Sequence, residues 1–221
     1  MFCSSIWAHG RAKALPLDAN DPHKEPLCHY GKEKFKSELY LKKAYEEDGF
    51  PATIIMPGQI SGAGWGIIGP WGNLVTTVIQ DIADGKSITL PNLGMENIHH
   101  IHGEDVARLF YQAMIHRDKA LGQSFHAVTG QSITLYGYAR LLYDYFGKEA
   151  QISFLPWEEW QEQIADKAEV ESAYLHLARS GAFDISRERE LLDFQPRYSN
   201  VETIVAAIQS YVERGVISVE K

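Results

Sequence analysis

Tyr30-Gly31-Lys32-Glu33-Lys34 is the stretch on which the reading of this chain turns. Its tyrosine and lysine are four residues apart at the start of a strongly helical run, so they share one face, one turn apart. A free tyrosine has a pKa of ~10 and is a poor base at neutral pH. An ammonium one turn away favours the phenolate, as any opposite charge does. Tyr30 is thus a candidate general acid/base for taking a proton from an alcohol, with Lys34 as its activator. A Tyr and a Lys at this spacing are more often a mere surface pair, so the flanking sequence has to decide.

Upstream, the apolar run Met1-Phe2-Cys3-Ser4-Ser5-Ile6-Trp7-Ala8-His9-Gly10 breaks into two serines and ends in glycine. Downstream, Ala52-Thr53-Ile54-Ile55-Met56-Pro57-Gly58 is a second apolar run closed by Pro-Gly. A strand ending in Ser-Ser, a helix opening with Tyr-x-x-x-Lys and a further strand follow one another. His102-Gly103-Glu104-Asp105-Val106-Ala107 and Leu192-Asp193-Phe194-Gln195-Pro196 complete the series. In this order the segments resemble an extended short-chain dehydrogenase/reductase of the NAD-dependent epimerase/dehydratase family. That family shows Ser-Ser-x-x-x-Tyr-Gly, Tyr-x-x-x-Lys, Arg-Pro-Gly-x-x-Tyr-Gly-Pro-Gly, His-Val-x-Asp-Val-Ala and Leu-Gly-Trp/Tyr-x-Pro. The matches span nearly the whole chain and are specific together, though no one of them is.

The resemblance implies a partial Rossmann-like α/β fold with a parallel sheet and a smaller, helix-rich substrate lobe. Residues 1-150 would be the partial NAD(P)-binding domain interleaved with lobe segments, and 151-221 the C-terminal lobe. It also implies NAD as cofactor, with NADP remaining open, and a nucleotide-sugar or related sugar derivative as substrate. Tyr30, Lys34 and Ser5 would be catalytic, Ser5 holding the reacting oxygen. Tyr30, Lys34, Ser4, Pro57 and Gly58 would meet the cofactor, and Gln59 and His9 the substrate. Gln59 stands where the family has an asparagine, and His9 where it has a tyrosine. The family is usually a homodimer. A complete member begins with strand, G-x-x-G-x-x-G and helix, which residues 1-30 do not supply. The chain is therefore expected to be the C-terminal part of such a protein, inactive alone, weak in NAD binding and prone to self-association along residues 1-7. A non-catalytic remnant that binds a ligand or a protein partner is the alternative.

Three other patterns invite different readings. Gly64-x-Gly66-x-x-Gly69 matches the dinucleotide fingerprint literally, but a loop separates it from the preceding strand, Trp65 crowds the turn and Pro70 follows. It is not expected to cradle a pyrophosphate. His99-His100-x-His102 with Glu104 and Asp105 suggests a metal, yet only His100 and His102 share a strand face, and no third ligand is evident. A strand leading into a helix N-terminus, where Glu104 and Asp105 favour the dipole, is the plainer reading. Trp157-Glu158-Glu159-Trp160 offers paired carboxylates, but adjacent helical residues diverge by about 100°, so the two cannot face one glycosidic bond.

Composition narrows the classes. The 221 residues are 45% hydrophobic with a net charge of -8, and Lys and Arg are scattered, which argues against a nucleic-acid surface. Cys3 and Cys28 give no disulfide framework and no metal spacing, which suits a reducing cytoplasm. No stretch approaches the length of a membrane span. Strands are expected at 1-7, 52-57, 87-90, 97-102, 124-129 and 151-155. Helices are expected at 29-48, 71-84, 105-116, 134-146, 157-164, 170-179, 186-192 and 201-214. Their alternation argues for α/β with mostly parallel pairing.

Overall fold

The computed structural model describes residues 1–219. Along the chain run β1 (Phe2–Cys3), α1 (His29–Asp48), β2 (Ile54–Pro57), β3 (Gln59–Ser61), α2 (Thr77–Ala83), β4 (Ile88–Pro91), β5 (Asn97–Ile98) and β6 (His100–His102). Then come α3 (Gly103–Ile115), α4 (Arg117–Ala120), β7 (Ser124–Ala127), β8 (Ile133–Thr134), α5 (Leu135–Tyr145), β9 (Ile152–Leu155), α6 (Trp157–Trp160), α7 (Lys167–Leu177), α8 (Ser186–Leu192) and α9 (Asn200–Glu213). The chain forms two compact units. The first takes Met1–Ile60, His99–Ser132 and Arg179–Thr203; the second takes Ser61–Ile98, Ile133–Ala178 and the stretch from Ile204.

In the first unit β2 lies between β1 and β7, all parallel, with Phe2 beside Ile54 and Ile54 beside Ser124. Every β2 residue is buried because both sheet faces are covered, which is why this strand reads as an unbroken apolar run. Ile55, Phe125 and Ala127 pack on one face with Leu109, Leu192 and Phe194. Ile54 and Met56 pack on the other with Ala8, Ala19, Phe35 and Leu41.

The expected strand over 1-7 is shorter. Ser5 has extended backbone, but its Oγ accepts the Trp7 N–H at 3.2 Å and caps a 3-10 turn over Ile6–Ala8. A serine hydroxyl that bonds its own downstream backbone competes with the sheet ladder, and here it wins. Helix α1 runs over 29–48 as expected, and Gly49 ends it in the left-handed conformation at φ 66°.

Side chains close the outer edges of this sheet. On β1 the Cys3 carbonyl accepts from Lys34 Nζ at 2.8 Å. On β7 the Asn20 side chain accepts the Ser124 N–H at 2.9 Å and donates to the Ser124 carbonyl at 3.1 Å. Glu188 Oε1 takes the His126 N–H at 2.6 Å. These bonds occupy backbone groups that a further strand would otherwise use.

The segments His102–Ala107 and Leu192–Pro196 serve one another. His102 Nδ1 accepts the Glu104 N–H at 3.2 Å and caps α3. One turn on, Asp105 is wholly buried and accepts the Arg197 and Tyr198 N–H groups at 2.9 and 3.0 Å and Arg108 Nη1 at 3.0 Å. A buried carboxylate so fully bonded is held by the fold rather than offered to a ligand.

In the second unit β4 pairs in parallel with β9, and β5 antiparallel with β8. Val78, Ile82, Leu90, Tyr138, Leu142 and Ile208 belong to its core. The helix expected over 71–84 starts six residues late. Gly72 sits at φ 73° and Asn73 Oδ1 accepts the Val75 N–H at 3.2 Å, so a turn takes the place of the first helical turns. In α6, Trp160 is wholly buried, and its indole N–H donates to the Thr89 carbonyl at 3.0 Å. No described helix is long and apolar enough to cross a membrane.

Candidate active site

Gly31 sets the site. A Cβ there would lie 2.1 Å from the Trp7 carbonyl oxygen and 3.1 Å from Pro26 Cβ, so only glycine lets the first turn of α1 rest on the turn that begins at Ser5. Tyr30 projects beside that contact, half exposed, its ring edge-on to Trp7 at 6.0 Å between centroids. Lys34, one turn on, brings Nζ to 5.5 Å from the Tyr30 ring centroid and 5.1 Å from that of Phe2. The shared helix face expected from the four-residue spacing is therefore formed. The Lys34 ammonium also donates to the Cys3 carbonyl, which fixes its position. Ser5 is buried nearby at the start of the 3-10 turn, and accepting the Trp7 N–H uses a lone pair, not its O–H.

Ser4 turns the other way. It is buried, and its Oγ donates to Glu38 Oε1. Glu38 Oε2 pairs with Lys24 Nζ at 2.9 Å, both side chains 1% exposed, and Lys24 also donates to the Ala19 carbonyl at 2.7 Å. This inner network locks α1 to β1 and to the loop over 10–28. Glu38 stands one turn beyond Lys34, and its neighbours in sequence gave no sign that a carboxylate faces the core.

Pro57 ends β2 and Gly58 follows. A Cβ on Gly58 would meet the His99 carbonyl oxygen at 2.5 Å, so the space this glycine leaves is filled by the chain's own backbone. Gln59 is tied to the same residue twice: its N–H donates to the His99 carbonyl at 2.8 Å and its Oε1 accepts the His99 N–H at 3.1 Å.

His9 is buried, with Nε2 2.9 Å from His126 Nε2. The rings of His9, His99 and His126 surround Phe183 at 5.9, 4.6 and 4.7 Å. Burial holds all three below the usual histidine range, and His126 falls to about 3. Two neutral rings share one N–H between His9 and His126. Among the described residues no group of three or more His, Cys, Asp and Glu is arranged to hold a metal ion.

Sequence reasoning missed Arg179. It lies in the loop after α7, is 7% exposed, and stacks its guanidinium 3.9 Å from the centroid of Trp7, the same ring that meets Tyr30. Burial lowers its pKa to about 10, which leaves it charged at neutral pH. A lone arginine after a helix carries no sequence signal for this placement.

The residues fit one end of a nicotinamide dinucleotide better than the other. Tyr30, Lys34 and Ser5 bring a phenol, an ammonium and a hydroxyl to the first turn of α1 and the turn before it, groups of the kind that suit a ribose and an alcohol. The Gly64-Gly69 loop does not fit the pyrophosphate: Gly64 has φ 84°, and the next helix opens only at Thr77. No other described turn carries the G-x-x-G-x-x-G pattern from strand to helix.

A parallel sheet flanked by helices defines the class of Rossmann-like α/β folds. The family model described as NAD dependent epimerase/dehydratase family matches residues 1–127, and the chain belongs to that family. No curated protein matches the chain. Among solved structures it is similar to the UDP-glucose 4-epimerase of Thermotoga maritima with UDP-glucose (TM-score 0.69, 19% identity, 96% of this chain and 63% of that one). It is similar as well to a dTDP-glucose 4,6-dehydratase of Bacillus anthracis in complex with NAD (0.71, 14%, 97% and 61%). A third is RMD of Pseudomonas aeruginosa complexed with NADPH (0.69, 14%, 96% and 66%). At these identities the likeness is one of fold. The chain spans about three fifths of the length of these structures, 61% to 66%.

Proposed function

We propose that this chain supplies the acid/base and substrate side of an NAD-dependent epimerase/dehydratase acting on a nucleotide-sugar or related sugar derivative. The observation that carries the reading is Tyr30 and Lys34 on one face of α1, set by Gly31 against the turn that holds Ser5. Tyr30 takes the proton of a substrate hydroxyl, and Ser5 donates a hydrogen bond to the same oxygen. Lys34, with Nζ 5.5 Å from the Tyr30 ring centroid, offers donors to the nicotinamide ribose. The dinucleotide, when bound, supplies the hydride acceptor. Arg179, charged and stacked on Trp7, suits the anionic part of a nucleotide-sugar. Ser4, held by Glu38, has no part in this reading.

The test is a fusion that adds a G-x-x-G-x-x-G-bearing N-terminal half to this chain. Loss of one proton-transfer group typically costs about 10²–10⁴-fold in rate. Tyr30→Phe in that fusion should lose turnover on this scale at unchanged thermal stability; turnover within threefold of the parent removes the assignment. A second reading, a non-catalytic binding remnant, is favoured by the Lys34 bond to Cys3 and by the pyrophosphate cradle missing among the described residues. A fusion that binds NAD and a nucleotide-sugar but turns neither over would select it.

A further inference from the structure

In the second unit the two outer edges of the β4–β9 pair differ. The Ile88 N–H donates to the Gln151 carbonyl at 2.9 Å and the Asn92 N–H to the Leu155 carbonyl at 2.7 Å, which fixes the backbone groups that join the strands. Alternate residues of a strand turn these groups to opposite edges. Those of Thr89 therefore point away from β9, and those of Ile152 and Phe154 away from β4. The Thr89 carbonyl accepts the indole N–H of Trp71 at 2.9 Å and that of Trp160 at 3.0 Å, so the β4 edge is closed. No described group bonds the outward N–H and C=O of Ile152 and Phe154. Residues 151–155 also carry no charge and no proline, the usual guards of an open edge.

An apolar patch adjoins this edge. Ser153 and Phe154 are exposed, and the Phe154 ring stands 6.2 Å from that of Tyr136. A Cβ on Gly94 would lie 3.3 Å from both Phe154 Cε1 and Tyr136 Cβ, so the exposed Leu93 and Met95 flank the same rings. Charge selects what covers it. Lys148 and Glu149 precede β9, and Glu158 and Glu159 follow it. A second β9 laid antiparallel, with Ser153 facing Ser153 of the second copy on a two-fold axis, sets Lys148 across from Glu158 of the second copy. A parallel copy would set like ends together. In the antiparallel register Ile152 exchanges both backbone bonds with Phe154 of the second copy, and each Phe154 ring meets a β-branched side chain across the strands.

The geometry points to β9 as the contact strand of a symmetric dimer, in which the two-stranded sheets of two copies join into one four-stranded sheet. This contact uses neither α1 nor β1, and so is independent of the chemistry proposed at Tyr30.

Sedimentation velocity and amide hydrogen exchange on the full chain test it. A contact of this small size suits a weak dimer, so the mass should rise toward that of two chains between about 10 μM and about 1 mM. The Ile152 and Phe154 amides should gain protection over the same range. Phe154→Pro removes an outward donor and spares the bonds to β4; it should raise the dissociation constant at least about tenfold. Ser153→Lys and Ser153→Glu should each be monomeric, because like charges then face one another across the axis, and an equimolar mixture of the two should dimerise again. If Phe154→Pro does not fold, the two Ser153 variants decide. A chain that stays monomeric, a dimer indifferent to the Ser153 charges, or no recovery on mixing overturns the proposal. So does protection of the two amides that appears only on adding an extended peptide of another sequence, which would give the edge to a different partner.

Discussion

At the scale of single residues, the site rests on two pairs of different kinds. Tyr30 and Lys34 lie in one helix and meet by helical periodicity. Glu38 and Lys24 meet only because the loop over 10–28 folds back across α1, and both are fully desolvated. Removing one partner of a buried pair strands the other, at a cost of about 3–5 kcal/mol. Glu38→Ala should lower stability by about that much in urea unfolding, because Lys24 and Ser4 both lose their partner. Glu38→Leu with Lys24→Met should restore most of the loss, since an apolar pair of similar volume replaces two buried charges. A single variant within 1 kcal/mol of the parent would show that the network is solvated in solution.

At the scale of elements, two terminations stand out. Helix α8 ends at Asp193, which holds the left-handed conformation at φ 49° where the family pattern has glycine. A side chain in that region costs on the order of 1 kcal/mol, somewhat less for Asp. Asp193→Gly should therefore raise stability by about 0.5–1 kcal/mol, read from the urea midpoint at unchanged slope. The second termination is the outer edge of β1. Lys34 takes the Cys3 carbonyl, so the edge is less open than an apolar strand over 1-7 suggests. Lys34→Met frees that acceptor, and light scattering should show more self-association than in the parent; an unchanged mass distribution would mean that the edge is protected in another way.

At the scale of the whole molecule, buried titratable groups shape the pH response. His9, His99 and His126 are lowered by burial, so the unfolded chain binds more protons than the folded one below about pH 6.5. Stability should therefore rise with pH up to that point, by at most about 1.4 kcal/mol per pH unit for each histidine. Glu188 has the opposite sign. Raised from 4.5 to about 7, it lends stability below pH 4.5 that is lost as pH climbs through 7. The parent should gain stability up to about pH 7 and change by less than about 1 kcal/mol from there to pH 8, because the loss at Glu188 offsets the last of the histidine gain. Glu188→Gln should lack the Glu188 loss and gain about 2.5 kcal/mol on the parent between pH 5 and pH 8, in urea melts at the two values. A Glu188→Gln variant whose stability tracks the parent's across that range would contradict the burial of Glu188.

The sequence by itself determined the local frame. The period of 3.6 placed Tyr30 and Lys34 on one face of a helix over 29-48, and the apolar run over 52-57 marked a strand. The order of the short segments carried the family. These signals are legible because periodicity, caps and turn residues act over a few neighbours. Tertiary structure decided which polar groups are spent on the fold. It gave Ser4 to Glu38, Asp105 to the backbone at 197–198, the Gly58 space to the His99 carbonyl, and Arg179 to the ring of Trp7. It also bent the chain at Ser5 and Gly72, where a side-chain cap and a turn replaced expected strand and helix. The partners in those cases stand tens of residues apart, and only packing, which forces each buried polar group to find a partner, brings them together.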